Sequence, residues 1–272
     1  MHESRKALKR TRALLCLVRP ELKDADFRRE NKRFRDISRA LSLTRDRHVL
    51  LQTLSMLQVR HMRDAGEGFG IVRGLVAKEL LDETTQYIST RINVAEIRQR
   101  LDEGRQMLKV LRVRRGDDEF DVVTEGLARS YRQGRNTFGD MFESGKEPHD
   151  EALHEWRKSV QLHWRHMALL RSAAPEICAE RILRAQELSH ALGWHNDLSV
   201  LETYCRTLPT CILSEEKYQP MSKLIKLEKR KALSNAKPVG HSLFAYRPKE
   251  LRRTLAAHWS ASATAFSTNT RS

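Results

Sequence analysis

Aromatic side chains make up only 6 % of this chain, with 5 Tyr and 8 Phe among its 272 residues. That is thin for a protein that stacks many unpaired bases. Gly and Pro are also scarce, at 12 and 7, which leaves few tight turns and argues against a sheet-rich fold. Of the four cysteines, Cys16, Cys178, Cys205 and Cys211, no two form a Cys-x-x-Cys pair, so a zinc centre built from them is disfavoured. With no secretory signal in view they read as reduced thiols of a cytoplasmic protein, Cys16 packing within its own helix. No apolar run approaches the ~18 residues that span a bilayer, and the basic N-terminus lacks a signal peptide's apolar region. Negative charge is in deficit too. Fifty Lys and Arg face 35 Asp and Glu, for a net charge of +15 and a pI near 10.0. Such a chain calls for a polyanionic partner: nucleic acid, an anionic surface, or a phosphate polymer.

What is present is helical. At 100° per residue, His2, Arg5, Lys6 and Lys9 share one face of a first helix over residues 2–18, with Arg10 and Arg12 beside it. Ala7, Leu8, Leu14, Leu15 and Val18 fall opposite. One side can bury while the other presents a ridge of cations. The chain opens inside this helix with no room for an N-cap, as a trimmed start would.

A second helix over 26–42 carries Arg28, Arg35 and Arg39 against an apolar stripe of Phe27, Phe34, Ile37 and Leu41. Thr44 caps a third. The glycines of 64–70 predict a loop, but it follows a helix and lacks a Gly-Lys-Ser/Thr, so no nucleotide cradle is expected. Helical patterning resumes over 71–115 with a break near Asn93, and again over 119–142. Residues 143–148 read as a linker. Further helices are expected from Asp150 to about Pro175, then over 176–192, 197–208, 214–236 and 248–259. A disordered tail is expected at 260–272. No strand alternation is visible.

The chain repeats itself. His2, Arg5 and Lys6 match His154, Arg157 and Lys158 at an offset of 152. Ala40-Leu41-Ser42 with Arg45-Asp46-x-x-Val49-Leu50 matches Ala191-Leu192-Gly193 with Asn196-Asp197-x-x-Val200-Leu201 at an offset of 151. The near-constant offset predicts duplicated units, 1–142 and 149–259. Packed about a pseudo-twofold, their cationic ridges would face each other. Like charges held close are unfavourable unless an anion lies between them.

The His-x-x-Arg-Lys at His2, the Arg45-Asp46 helix start and the Leu-His-Glu-Trp-Arg-Lys run at 153–158 resemble a CHAD domain, the conserved histidine α-helical domain. So do the Leu-Gly-x-x-Asn-Asp-Leu run at 192–198 and Gly240-x-x-x-Phe244. The resemblance spans His2 to about Trp259. It implies an all-α protein of two antiparallel four-helix bundles related by a pseudo-twofold, with a basic central channel. It implies binding of inorganic polyphosphate without catalysis; no cofactor or metal is expected, and whether the protein sits on polyphosphate granules or is diffuse in the cytoplasm stays open. No adjoining triphosphate-tunnel domain is visible. Gln161 departs from the Lys usual in the family, and Arg165 from a common Tyr. Arg165, one turn on, restores the charge.

The polyphosphate-binding residues expected on these grounds are His2, Arg5, Lys6, Lys9, Arg10, Arg12, Arg28, Arg35, Arg39, Arg45, His154, Arg157, Lys158, Gln161 and Arg165. Arg forks bridge adjacent phosphate oxygens, while Lys acts as a movable point charge. His2 and His154 either bond locally or donate to phosphate as imidazolium ions. Arg28, Arg35 and Arg39 either extend the site or form a solvated face. Asp36 and Asp46 are expected to orient Arg39 and Arg45, and helix capping accounts for Asp46 and Asp197. Two rival functions remain. Non-specific nucleic-acid binding fits the charge. A metal-dependent phosphohydrolase is prompted by His149-Asp150 with His190, His195 and Asp197. Because Gln161 weakens the second ridge, charge reversal at Arg5 and Lys9 is expected to reduce polyanion affinity more than reversal at Arg157 and Gln161. Titration calorimetry on the two double variants checks this, and equal losses would remove the dominance of the first ridge.

Overall fold

The computed structural model describes residues 2–41, 45–63, 66–89, 94–111, 119–142 and 148–269, without the side chains of residues 2, 45, 86–89, 94, 119 and 260–269. Among the described residues there are ten α-helices and no strand, and the protein is all-α. They are α1 (His2–Leu17), α2 (Asp24–Ala40), α3 (Arg45–Arg60), α4 (Glu67–Ser89), α5 (Val94–Val110), α6 (Glu119–Phe142), α7 (Asp150–Leu169), α8 (Pro175–Thr207), α9 (Glu215–Leu243) and α10 (Pro248–Asn269). A 3₁₀ turn at Arg19–Glu21, with Pro20 in it, ends α1. The expected Thr44 cap, the Asn93 break, the Gly116 turn and most of the 143–148 linker lie outside the described residues.

Packing extends helices that local breakers would end. α8 is one helix where the sequence predicts two. Ala185, Leu188, Leu192, His195, Leu198, Leu201 and Cys205 are all buried along it, a stripe at spacings of three and four that crosses Gly193 without interruption. The roughly 1 kcal/mol by which Gly weakens a helix is small beside that burial. Asn196 and Asp197 therefore stand inside α8, where Asn196 Nδ2 donates to Asp197 Oδ1 at 3.3 Å, and capping does not explain Asp197. Asp46, in the first turn of α3, does have a helix N-terminus to stabilise. α9 likewise runs past Ala236 and Pro238 because Ala232, Ala236, Leu243 and Phe244 continue its buried face. α10 extends to Asn269, past the expected end at Trp259; no Gly or Pro interrupts 249–269.

The glycine segment is also corrected. α4 begins at Glu67, so Gly68 and Gly70 are helical. A Cβ on Gly68 would strike the carbonyl of Lys217; the residue lets α4 and α9 approach, which a loop reading cannot anticipate.

Contacts divide the chain into two compact units that cut across the sequence repeats. The first comprises Met1–Leu41, Glu96–Ser189 and Pro238–Ser272, and the second Ser42–Ala95 and His190–Lys237. The first unit has a core of Leu8, Leu15, Leu22, Phe27, Phe34 and Ile37, joined by Leu101 and Leu108. Beside it Trp156 is fully buried against Phe138, Phe142 and Phe244. A Cβ on Gly240 would come within 2.6 Å of the Trp156 ring, so Gly240 and Phe244 form the wall against which the indole sits. The Trp156 N–H lacks a hydrogen-bond partner among the described residues. That omission costs about 1–3 kcal/mol, less than the roughly 4–6 kcal/mol from burying an indole.

The second unit packs α3, α4, α8 and α9 around Leu50, Leu54, Leu57, Phe69, Val72, Leu198, Leu201 and Ile225. A buried carboxylate braces it. Glu228 takes bonds from Arg60 at 2.7 Å, Lys231 at 3.1 Å and Trp194 at 3.3 Å, and lies 3.2 Å from His61 Nε2. Arg60 also stacks on Trp194, 4.7 Å from the ring centroid. Burial opposes ionisation of Glu228, but bonds from Arg60, Lys231, His61 and Trp194 overrule it and hold the carboxyl at about 2. Its folded pKa is depressed, so its contribution is complete above the ordinary value of 4.5 and is lost as pH falls toward about 2. Glu228→Gln is expected to lose about 2–3 kcal/mol at neutral pH and to flatten this acid limb. Urea denaturation across pH 2–7 checks it; an unchanged acid limb would contradict it.

Candidate functional site

The cationic ridges stand on α1 and α7, both in the first unit. On α1, Lys6 and Arg10 are exposed and Arg5, Lys9 and Arg12 partly so. The buried side is Leu8, Ala13, Leu15 and Leu17, while Leu14, expected in the core, stays 49 % exposed. On α7, Leu153, Trp156, Val160, His163 and Met167 are buried, leaving His154, Arg157 and Arg165 partly exposed and Lys158 exposed.

The same local ion pair occurs on both helices. Lys6 bonds Glu3 at 2.9 Å and, at the matching place in the second copy, Lys158 bonds Glu155 at 2.5 Å. Exposed pairs of this kind contribute at most about 1 kcal/mol. An arriving polyanion can therefore draw both lysines away from their carboxylates.

The ridges converge on arginines. Burial first, and then the charges of Arg35 and Arg39 on α2, hold the Arg12 guanidinium below its ordinary value, with Cys16 and Asp36 acting the other way. Burial also lowers Arg165, and the charges of Arg12 and Arg157 take it further, down to about 10. Arg12, Arg35, Arg39, Arg157 and Arg165 thus share one electrostatic neighbourhood drawn from three helices. Arg12 Nε donates to Asn31 Oδ1 at 2.8 Å, and Arg165 Nη1 to the Gln161 carbonyl at 2.6 Å. Asp36, expected to orient Arg39, instead pairs with Lys32 at 3.2 Å and Arg35 at 3.5 Å. Arg12 and Arg165 thus bond neutral acceptors, and Arg35 shares Asp36 with Lys32.

The other expected residues are less concentrated. Arg10 and Arg28 are exposed, and neither is among the charges that act on Arg12 or Arg165. Gln161 contributes its carbonyl to Arg165. Arg45 opens α3 in the second unit, and its side chain, like that of His2, lies outside the described residues.

Two histidines escaped sequence reasoning. His166 is buried between three helices: its Nε2–H donates to the Ala13 carbonyl at 3.0 Å, leaving Nδ1, 3.0 Å from Ser130 Oγ, to accept. It staples α1 and α6 to α7 one residue from Arg165. His163 Nε2 accepts from the buried Arg181, whose Nη2 also donates to the Leu243 carbonyl at the end of α9. Tyr131 OH donates to the same carbonyl at 3.2 Å, and the Arg181 guanidinium lies 5.2 Å from the Tyr131 ring. Burial, Arg181 and His166 hold His163 well below the usual histidine value. The available signal was register: His163 continues the stripe of Leu153, Trp156 and Val160, so a neutral core histidine was readable there.

The residues that suggested a hydrolase have other uses. His149 Nδ1 accepts from the Ala152 N–H at 3.0 Å and caps α7. Among the described residues no three His, Cys, Asp or Glu side chains are grouped as a metal centre needs. No helix is long and apolar enough to cross a membrane, and the four cysteines are unpaired thiols.

His166 generates a measurable pH dependence. Burial lowers its pKa to about 4, against the Ala13 bond that raises it and with Arg165 that lowers it further. The unfolded chain takes up a proton near the ordinary 6.5 while the folded one does not. Stability is therefore present above 6.5 and falls as pH drops toward 4, by on the order of 2–3 kcal/mol. His166→Gln, which keeps one donor and one acceptor, is expected to reduce that slope in urea denaturation and leave the share that His163 contributes; an unchanged slope would place its origin elsewhere.

Compared with known proteins, the chain matches the family model described as CHAD domain over residues 1–206. No curated protein and no solved structure matches it. The match takes in α1 to α7 and nearly all of α8, and so both cationic ridges and the helices that hold them; on that coverage the chain belongs to the CHAD domain family.

Proposed function

We propose that the protein binds inorganic polyphosphate without catalysis, along a basic channel lined by the α1 and α7 ridges and by Arg35 and Arg39. The CHAD family is associated with polyphosphate-binding and triphosphatase-type proteins. The observation that carries the proposal is the convergence of Arg12, Arg35, Arg39, Arg157 and Arg165, with Arg165 held down to about 10 by burial and two neighbouring cations.

A fold that holds guanidinium groups partly buried beside one another incurs repulsion when empty, and an anion turns it into attraction. Polyphosphate suits the arrangement because every unit of the polymer presents equivalent oxygens. Arg forks from different helices then engage successive units. Each charge-assisted bond contributes roughly 1.5–3 kcal/mol before ordering costs. Lys6 and Lys158 leave Glu3 and Glu155 to extend the contact, and His154 stands in the ridge beside them. The two-bundle duplication about a pseudo-twofold belongs to the same proposal, as do the absence of any cofactor and a location on polyphosphate granules.

Nucleic acid shares the phosphate chemistry, so competition is the test. Long-chain polyphosphate is expected to displace a labelled DNA duplex at a far lower phosphate concentration than unlabelled duplex. Arg12→Gln/Arg165→Gln should weaken polyphosphate binding by about tenfold or more, while the unliganded variant gains thermal stability at low salt. Duplex winning at equal phosphate, or phosphate release from the polymer by the purified protein, would overturn the reading.

A further inference from the structure

A second cationic site, a groove whose charged side chains are all exposed, lies on α6 and the start of α10, within the first unit. It is a cavity of about 560 Å³ lined by Arg132, Arg135, Asn136, Arg247, Lys249, Glu250 and Arg253, a size typical of small-molecule sites (~300–1,000 Å³). Five of these side chains are cations and one is a carboxylate.

The carboxylate is committed elsewhere. α10 begins at Pro248, so Glu250 is its third residue, and its Oε2 accepts the Arg247 backbone N–H at 2.7 Å. This is the reciprocal half of a capping box and holds Glu250 to the helix end. Arg252, one position before Arg253, makes the contrast. It bonds Asp121 at 2.8 Å and Glu125 at 3.0 Å, fastening α10 to α6. Where these two helices need an arginine for packing, the chain supplies carboxylates. For Arg132, Lys249 and Arg253 it supplies none among the described residues.

The walls are rigid. Tyr131, next to Arg132, is fully buried, and its hydroxyl bonds the carbonyls of Leu243 and Tyr246 at 3.2 and 3.1 Å. Arg181 bonds the Leu243 carbonyl at 2.6 Å. The turn that carries Arg247 is thereby fixed to α6, so the backbone that bears the cations is held in place before any ligand arrives.

From this geometry we infer that the α6–α10 cavity is a binding site for a compact chain of linked phosphates about three units long. A neutral ligand would not relieve the repulsion among five cations. A single phosphate carries at most about two negative charges, and a duplex presents its phosphates on a convex surface far wider than the cavity. A triphosphate combines high charge with small volume. The chain can be free or borne by a nucleoside. The cavity adjoins a second, of about 580 Å³, which shares Arg135 and Asn136 and has Phe138, Phe244 and His241 in its walls. The site involves none of the ridge residues and stands independently of the polymer-binding reading.

The test is calorimetry with inorganic tripolyphosphate and, separately, with adenosine triphosphate. Arg132→Gln/Arg253→Gln is expected to weaken binding of tripolyphosphate by about tenfold or more. Because the ridges take the same chemistry, the site is read in the Arg12→Gln/Arg165→Gln background, where saturable tripolyphosphate binding is expected to persist and to be lost when Arg132→Gln/Arg253→Gln is added. Arg252→Gln serves as the packing control: it should lower thermal stability and leave affinity alone. Tighter binding of adenosine triphosphate would assign the adjoining cavity to a nucleoside, and tighter tripolyphosphate the free chain; either supports the site. No saturable binding up to roughly 1 mM, loss only in the Arg12/Arg165 variant, or equal affinity for citrate would overturn it.

Discussion

The His166 imidazole ties together the three helices around the arginine group. It bonds the Ala13 carbonyl of α1 and faces Ser130 of α6 while standing on α7. Such a group must be neutral, since burial disfavours the imidazolium and Arg165 stands next to it in the chain. With α1 and α7 clamped in this way, their outward residues are forced into proximity. The charge of Arg12 then lowers the proton affinity of Arg165 although neither helix, taken alone, would bring them together. A neutral buried bond thus maintains a charged, partly open neighbourhood.

Hydrophobic burial supplies the free energy that this proximity opposes. Trp156, Val160 and Met167 are fully buried on the reverse side of α7, and Ala13, Leu15 and Leu17 nearly so on α1. Several side chains at roughly 1.5–3 kcal/mol each exceed the repulsion between partly solvated guanidinium groups, which an effective dielectric well above that of a dry interior keeps modest. Partial burial is also what makes an anion attractive there. Exposed charges are screened more strongly by salt, while the buried Arg181 is held by neutral acceptors, His163 Nε2 and the Leu243 carbonyl.

The segments whose sequences match at offsets of 151 and 152 have different structural uses. In the first copy, α2 ends at Ala40 and α3 opens at Arg45. In the second, the matching residues lie inside the unbroken α8, and Trp194 from that run joins Arg60 in bracing Glu228. The ridges kept their likeness more closely. The Glu3–Lys6 and Glu155–Lys158 pairs recur at matching positions, and Leu8 and Val160 are buried in the same register. Surface charge at helical spacing survives such divergence because it depends only on its own helix.

The sequence by itself determined the helical class, the cationic ridges and most helix boundaries, because helical period and composition are local properties. It located Phe27, Phe34 and Ile37 in the core of α2 but not Glu30, whose burial depends on its arginine partners. Tertiary structure alone decided that α8 passes through Gly193, that Gly68 is helical, and that α10 continues past Trp259. A glycine's local penalty of about 1 kcal/mol is overruled when the flanking residues bury one unbroken stripe. It likewise decided which arginines meet. Arg12 reaches Arg35, Arg39 and Arg165 through helix packing, and Arg132 faces Arg253 across the α6–α10 cavity. The long-range Coulomb field of a side chain is set by its neighbours in space, and only the folded chain specifies those.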